Sequence, residues 1–167
     1  MKYSDFPEFS EPDKNRILEK IRRELLQTLS TRKKIGLNQG RLGISLVYRN
    51  IEEMRTAELA LMIHVLDPRR EVKYRARDIK TVVEQDFMTL AMILDHEDFQ
   101  DVKWITGETA LDEKIIRKFG FTPSPVKNFF TKIRLSVQTS SVQGKWCYGG
   151  TYAYMTRKDF IKKYKQF

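Results

Sequence analysis

An apolar run at residues 57–66, AELALMIHVL, constrains the fold more than any other feature of the chain. Its pattern alone fits a buried helix as well as a buried strand. The run stops abruptly at Asp67 and Pro68, which is typical of a buried central strand leaving its sheet. We therefore predict a strand at residues 57–66, with the rest of a sheet built around it.

Hydrophobic periodicity and turn residues predict the elements on either side of this strand. Helices are expected at residues 10–34, 79–96, 109–119 and 157–165, and strands at Leu42–Arg49, 102–106, 130–139 and 145–155, the last two as a hairpin around 140–144. Pro123 and Pro125 predict a loop, and Gly120 lies where a left-handed helix end belongs. Because helices and strands alternate, we predict an α/β fold, a mixed sheet with helices packed on it.

The length of 167 residues predicts one domain, residues 1–167, with residues 10–34 as an N-terminal helix. A single cysteine, Cys147, excludes an internal disulfide framework, and two histidines exclude a multi-histidine metal centre, so no metal is expected. No apolar stretch reaches the roughly 18 residues of a membrane span, and the first residues do not resemble a secretory signal. The expected location is the cytoplasm.

The net charge of +9 is unevenly distributed. Residues 84–113 hold nine acids and one lysine, whereas residues 114–167 hold twelve cations and one acid. An excess of cations indicates an anionic partner such as nucleic acid or a phosphorylated cofactor, although solvated lysines explain it equally well. The acidic segment could dock a basic partner, including a second copy of this chain, so a homodimer is a further hypothesis.

The order of segments in residues 57–155 resembles the GCN5-related N-acetyltransferase (GNAT) fold. The resemblance is carried by ELALMIHVLDP (58–68), a basic loop, a helix from about residue 79, the strand VKWIT (102–106) and a helix ending KFGFT (118–122). YAYMTRKDF (152–160) resembles the last strand of the family. The resemblance implies a mixed, mostly antiparallel central sheet with helices on both faces, and transfer of an acyl group from an acyl-CoA to an amine substrate.

The resemblance also implies a site for acetyl-CoA or another acyl-CoA in the basic loop. The family holds the pyrophosphate of the cofactor with loop glycines, but in the best register here, RARDIK (75–80), Asp78 and Lys80 replace them. Phosphate would then be held by side chains, to which arginine geometry is suited. The candidate cofactor-binding residues are Arg69, Arg70, Lys73, Arg75, Arg77 and Lys80.

The candidate catalytic residues are Glu58 and His64, either of which could help to deprotonate the amine. They lie six residues apart on the predicted strand and therefore on one face of it. The more common explanation of such a glutamate is a strand-end residue that reaches solvent, and that of His64 is a core or loop-edge histidine. Many family members protonate the leaving thiolate with a tyrosine, and Ile116 occupies that position here.

The alternative hypothesis is a catalytically silent GNAT-like module that binds nucleic acid or a protein partner through basic surfaces. Aromatic side chains interleaved with cations can stack bases and contact phosphates, although core packing explains the same pattern. The residues that would form this surface are Lys132, Arg134, Lys145, Trp146, Tyr148, Arg157 and Lys158.

Overall fold

A six-stranded mixed sheet organises the computed structural model, which describes residues 11–37, 42–49, 57–65, 76–109, 113–143 and 150–165. The strands are β1 (Ile35–Leu37), β2 (Leu42–Arg49), β3 (Glu58–Val65), β4 (Trp104–Thr109), β5 (Thr122–Pro125) and β6 (Thr151–Thr156). The helices are α1 (Glu11–Thr31), α2 (Ala76–Leu94), α3 (Glu113–Lys118), α4 (Phe129–Gln143) and α5 (Arg157–Tyr164), and a 3₁₀ turn lies at Glu97–Phe99.

The strand order is β1-β2-β3-β4-β6-β5, which places β3 and β4 in the middle of the sheet. Within the described residues these two strands form the one parallel pair, and the other four pairs are antiparallel. The predicted buried strand is confirmed as β3, and the expectation of a mixed, mostly antiparallel sheet with helices on both faces is confirmed with it. The parallel pair requires a crossover, which α2 supplies.

The main hydrophobic core lies on one face of the sheet, under α1, α2 and α5. Leu61 and Ile105, which come from the two central strands, are fully buried against Leu90 of α2. Helix α5 adds Phe160 and Tyr164, whose ring centroids lie 5.4 and 5.1 Å from that of Phe87. Edge-to-face aromatic contacts of this kind add specific geometry to the burial of apolar area, so the last helix of the chain belongs to the core.

Helix α1 is also part of the fold. Leu25 is fully buried, and the Thr28 hydroxyl accepts a hydrogen bond of 2.8 Å from the backbone N–H of Leu46. The guanidinium of Arg22 meets Asp98 beyond α2, with 3.3 Å between Nε and Oδ2. The helix ends at Thr31, three residues earlier than expected, and Arg32 follows with a left-handed φ of 55°. None of the helices in the described ranges is both long and apolar enough to cross a membrane.

Helix α4 contacts the opposite face of the sheet. Its Arg134 pairs with Glu108, which alternates with the core residue Ile105 along β4 and so projects from the other side. Leu135 packs on Gly150, where a Cβ atom would lie 2.5 Å from the leucine Cδ1. A larger residue at position 150 would therefore require the Leu135 side chain to move.

The predicted hairpin at residues 130–139 and 145–155 is wrong, because the described part of the first segment is the helix α4. Ile133, Leu135 and Val137 alternate with polar residues as in a strand, but only Leu135 is buried. The hydroxyl of Ser136 bonds the carbonyl of Lys132 at 2.7 Å, one helical turn back. The alternation of apolar and polar residues over these five positions therefore does not reflect a strand. The second strand begins at Thr151, and residues 144–149 lie outside the described ranges.

The loop predicted from Pro123 and Pro125 is also wrong, since both residues belong to β5. This strand forms an edge of the sheet and pairs only with β6 in the described part of the chain. An edge strand tolerates proline because one side of its backbone needs no hydrogen bonds to a neighbour. The short strand β1 was not predicted. Gly120 has a φ of 83°, which confirms the predicted left-handed helix end.

A tyrosine at the end of α5 makes the free energy of unfolding depend on pH in the alkaline range. Burial raises the pKa of the Tyr164 hydroxyl, and the negative charge of Glu84 raises it further. This hydroxyl donates a 2.6 Å hydrogen bond to the carbonyl of Phe119. Above pH about 10 the hydroxyl of Tyr164 loses its proton in the unfolded chain but keeps it in the folded chain. The contribution of Tyr164 to the free energy of unfolding is therefore fully present below pH about 10 and declines above it.

We expect Tyr164→Phe to lower the free energy of unfolding by about 1 kcal/mol at pH 7, the value of one hydrogen bond. Between pH 9 and pH 11 the difference from wild type should shrink, because the variant has no proton to lose at this position. Denaturant unfolding at each pH measures both effects. A difference that stays constant up to pH 11 would show that Tyr164 ionises alike in both states.

Candidate functional site

The two parallel strands separate at their carboxyl ends. Their pairing runs from Ala60 and Trp104 to Ile63 and Gly107, yet each strand continues for two more residues. Beyond Gly107 the described part of β4 pairs with β6, and β3 pairs with β2. A Cβ atom at Gly107 would lie 3.2 Å from the carbonyl oxygen of Ile63, so the strands approach closely just before they part.

Helix α2 begins at the same edge of the sheet. Its last residue, Leu94, lies near the amino end of β4, because Arg157 contacts both the Leu94 carbonyl and the backbone of Lys103. A helix of 19 residues is about 28 Å long, so α2 begins at the carboxyl edge, near the end of β3. The carboxyl ends of parallel strands and the N-terminus of the following helix form the usual place for an anionic ligand in α/β folds.

The predicted cofactor-binding residues fall at this edge as far as they are described. Arg77 and Lys80 belong to the first two turns of α2. Arg69, Arg70, Lys73 and Arg75 lie outside the described residues. The fold therefore brings the two described cations of the set to the helix end at which the donor phosphates were expected.

The two predicted catalytic residues occupy opposite ends of β3. His64 pairs with Gly43 near the carboxyl end, whereas Glu58 begins the strand. Six residues of strand separate them by about 20 Å, so they cannot serve one reacting group together. His64 lies at the edge where β3 and β4 separate, and Glu58 does not.

Glu58 instead belongs to an open cavity at the amino edge of the sheet, with a volume of about 420 Å³. Its Oε2 accepts a 2.5 Å hydrogen bond from the indole N–H of Trp104. The lining residues are Glu58, Gln100, Val102, Lys103, Trp104, Thr156, Arg157 and Lys158. We call this the amino-edge pocket.

The described residues of the set predicted for nucleic-acid binding fall in two groups. Arg157 and Lys158 line the amino-edge pocket, whereas Lys132 and Arg134 are on α4, where Arg134 pairs with Glu108 near the carboxyl end of β4. Trp104 and Glu108 are four strand residues apart, about 13 Å. Lys145, Trp146 and Tyr148 lie outside the described residues.

Sequence reasoning did not select Glu108, although it lies at the carboxyl end of the strand parallel to β3. Extending the register from Met62 and Thr106 by two residues brings Glu108 level with His64. The carboxylate is largely buried, with 13% of its side chain exposed, and its partner Arg134 comes from α4. An acid just after a predicted strand, here GET after WIT, was the available signal.

No protein-family model matches this chain, and no curated protein or solved structure matches it either.

Arg157 is a structural residue in this arrangement. Its Nε and Nη2 both donate to the Leu94 carbonyl, at 2.9 and 2.7 Å. The last carbonyl groups of a helix have no partner within the helix, so these bonds satisfy the carbonyl at the end of α2. We expect Arg157→Ala to cost about 2 kcal/mol of unfolding free energy, because charged hydrogen bonds are the stronger kind. Thermal or denaturant unfolding measures this cost.

Lys158→Ala is the matched control, since Lys158 is the next residue and its side chain is exposed. An exposed substitution of this kind should change the free energy by no more than about 0.5 kcal/mol. Equal destabilisation by the two variants would contradict the structural role of Arg157.

Proposed function

We propose that the chain is an acyl-CoA-dependent N-acyltransferase of the GNAT type, which transfers an acyl group to an amine. The observation that carries the proposal is the separation of β3 and β4 after Ile63 and Gly107, at the edge where α2 begins. A place where parallel strands stop pairing next to a helix N-terminus suits a long ligand with phosphates at one end.

Cations would hold the phosphates of the donor. Arg77 and Lys80 lie in the first turns of α2, and the basic residues 69–75 precede them in the chain. The positive end of the helix dipole adds to their charge. Asp78 lies within the same turn, and its carboxylate would oppose the phosphates, so side-chain cations are needed here more than in a glycine loop.

His64 is the better candidate of the two predicted bases. It lies at the edge where the strands separate, about 20 Å along β3 from Glu58. A neutral imidazole can accept the proton of an alkylammonium acceptor near physiological pH. The freed amine then attacks the thioester carbonyl, the carbon–sulfur bond breaks with release of a thiolate, and the nitrogen that becomes the amide loses its remaining extra proton to solvent. Glu108 lies level with His64 on the neighbouring strand, where its carboxylate is paired with Arg134.

Ile116 cannot supply the proton for the leaving thiolate. Ile116 is 3% exposed and packs in the main core, so its position contributes packing and no acid. A thiolate is stable enough to leave and to take its proton from solvent, which makes the acid dispensable. The rival hypothesis, a catalytically silent module that binds nucleic acid or protein, predicts that no acyl-CoA binds at this edge.

Acetyl-CoA should raise the melting temperature of the protein by mass action. The double variant Arg77→Ala/Lys80→Ala should bind at least tenfold more weakly, because it loses two charge-assisted contacts to phosphate. Melting curves across a range of acetyl-CoA concentrations give the affinity of each protein.

Lys162→Ala is the control for a general loss of positive charge, since Lys162 is an exposed residue of α5 that does not line the amino-edge pocket. It should bind acetyl-CoA like wild type. The proposal fails if millimolar acetyl-CoA leaves the melting temperature unchanged, or if all three proteins respond alike.

A further inference from the structure

The amino-edge pocket is separate from the site proposed above. It lies where β3 and β4 begin, and the proposed acyl donor would bind where they end. Four strand steps from Trp104 to Glu108 put about 13 Å between the two places. The cavity of about 420 Å³ lies in the size range of sites for small organic ligands. We therefore treat it as a separate candidate binding site.

An oriented carboxylate and an indole form one side of this pocket. The Trp104 indole N–H donates to Oε2 of Glu58, a contact of 2.5 Å that fixes the carboxylate beside the ring. Tyr154 holds the indole from another direction, edge to face, with 6.0 Å between ring centroids. An ionised carboxylate accepts hydrogen bonds and donates none. A ligand at this side must be flat and must present donors.

Two ammonium groups supply positive charge on the other side. Lys103 and Lys158 are both exposed, and neither is ion-paired within the described part of the chain. Arg157 contributes less, because two of its N–H groups are bonded to the Leu94 carbonyl. The ligand must therefore carry an anionic group in addition to its flat, donor-bearing part.

The sheet sets the distance between these groups. Glu58 is on β3, Trp104 on the adjacent β4, and Lys158 follows β6, which is the next strand. Two interstrand spacings are roughly 10 Å. A base, a sugar and a phosphate in sequence span a distance on this scale, with the base over the middle strand and the phosphate beyond the third.

The need for hydrogen-bond donors opposite the Glu58 carboxylate distinguishes between the nucleobases. The Watson–Crick edge of guanine carries two adjacent donors, N1–H and the N2 amino group. Adenine and cytosine place an acceptor beside their amino group, and uracil flanks its single donor with two acceptors. A carboxylate would be repelled by those acceptors and can bond both guanine donors. Sites built to pair with a specific donor discriminate strongly against ligands that lack it.

We propose that the amino-edge pocket binds a guanine nucleotide. The guanine ring lies against Trp104 and donates to Glu58, the phosphate is held by Lys158, and Lys103 adds positive charge to the pocket. Stacking on an aromatic side chain is worth about 1–3 kcal/mol per base in single-strand binding proteins, and lysine contacts to phosphate add an electrostatic part that salt weakens. A free nucleotide and an unpaired guanine of an RNA strand present this same chemistry.

The indole itself reports binding. The sequence contains two tryptophans, so a Trp146→Phe background leaves Trp104 as the only one. In this background GMP should quench the fluorescence, and AMP should bind at least tenfold more weakly. A short single-stranded RNA with one guanine is titrated beside GMP, and the tighter of the two identifies the source of the base. Inorganic phosphate alone should leave the fluorescence unchanged.

Glu58→Gln is the decisive variant. Its amide oxygen can still accept from the Trp104 indole, but its amino group then faces the base and meets the donors of guanine. The affinity for GMP should fall at least tenfold while that for AMP stays the same or rises. Lys158→Ala should lower the affinity for GMP and leave the affinity for guanosine, which has no phosphate, unchanged. Lys162→Ala on the same helix should change neither.

Melting curves of each variant confirm that the fold is intact. Acetyl-CoA and GMP should bind together without competition, and GMP binding does not require the acyltransferase proposal to be correct. The nucleotide proposal is overturned if millimolar GMP causes no quenching, if AMP and GMP bind equally, or if Glu58→Gln weakens both to the same extent. Displacement of GMP by acetyl-CoA would also overturn it.

Discussion

The parallel pairing of β3 with β4 is the constraint on which the rest of the structure depends. Two parallel neighbours cannot be joined by a tight turn, so the chain must return across the sheet, and α2 is that return. The crossover places the apolar face of α2, with Leu90 and Leu94, over the centre of the sheet. Every other described strand pairs antiparallel and extends this centre outward on either side.

The same constraint makes the two edges of the sheet chemically different. The carboxyl ends of the parallel strands meet the beginning of α2, where backbone N–H groups are unpaired and the helix dipole is positive. At the amino edge the end of α2 is occupied by Arg157, which bonds the Leu94 carbonyl. The backbone at the carboxyl edge therefore favours anions. The amino edge depends for its binding properties on side chains such as Lys103, Trp104 and Glu58.

The central part of the fold was predictable from the sequence because its elements are long and strongly periodic. The apolar run at residues 57–66 became β3, and the 3.6-residue spacing after residue 79 became α2. Prediction failed where the decisive contact was distant in sequence. Helix α4 reads as a strand because the packing of Leu135 on Gly150 is invisible to local alternation.

The same difference between local patterns and contacts distant in sequence applies to the candidate sites. The candidate residues Glu58 and His64 do lie on one strand, but a strand period says nothing about which end of the strand a ligand reaches. The cavity residue Trp104 was read only as part of a strand, because its bond to Glu58 joins residues 46 positions apart. Residues that meet across the sheet become visible only when the register is known.

The position of α5 has a consequence for how the chain acquires its structure during synthesis. Phe160 is fully buried beside Phe87, and β6 is inserted between β4 and β5, so the centre of the molecule waits for β6 and α5 to be made. Until they emerge, the aromatic surface of α2 and one side of β4 are exposed to solvent and to other chains. A chain synthesised only as far as β5 therefore exposes apolar surface of the kind that chaperones bind.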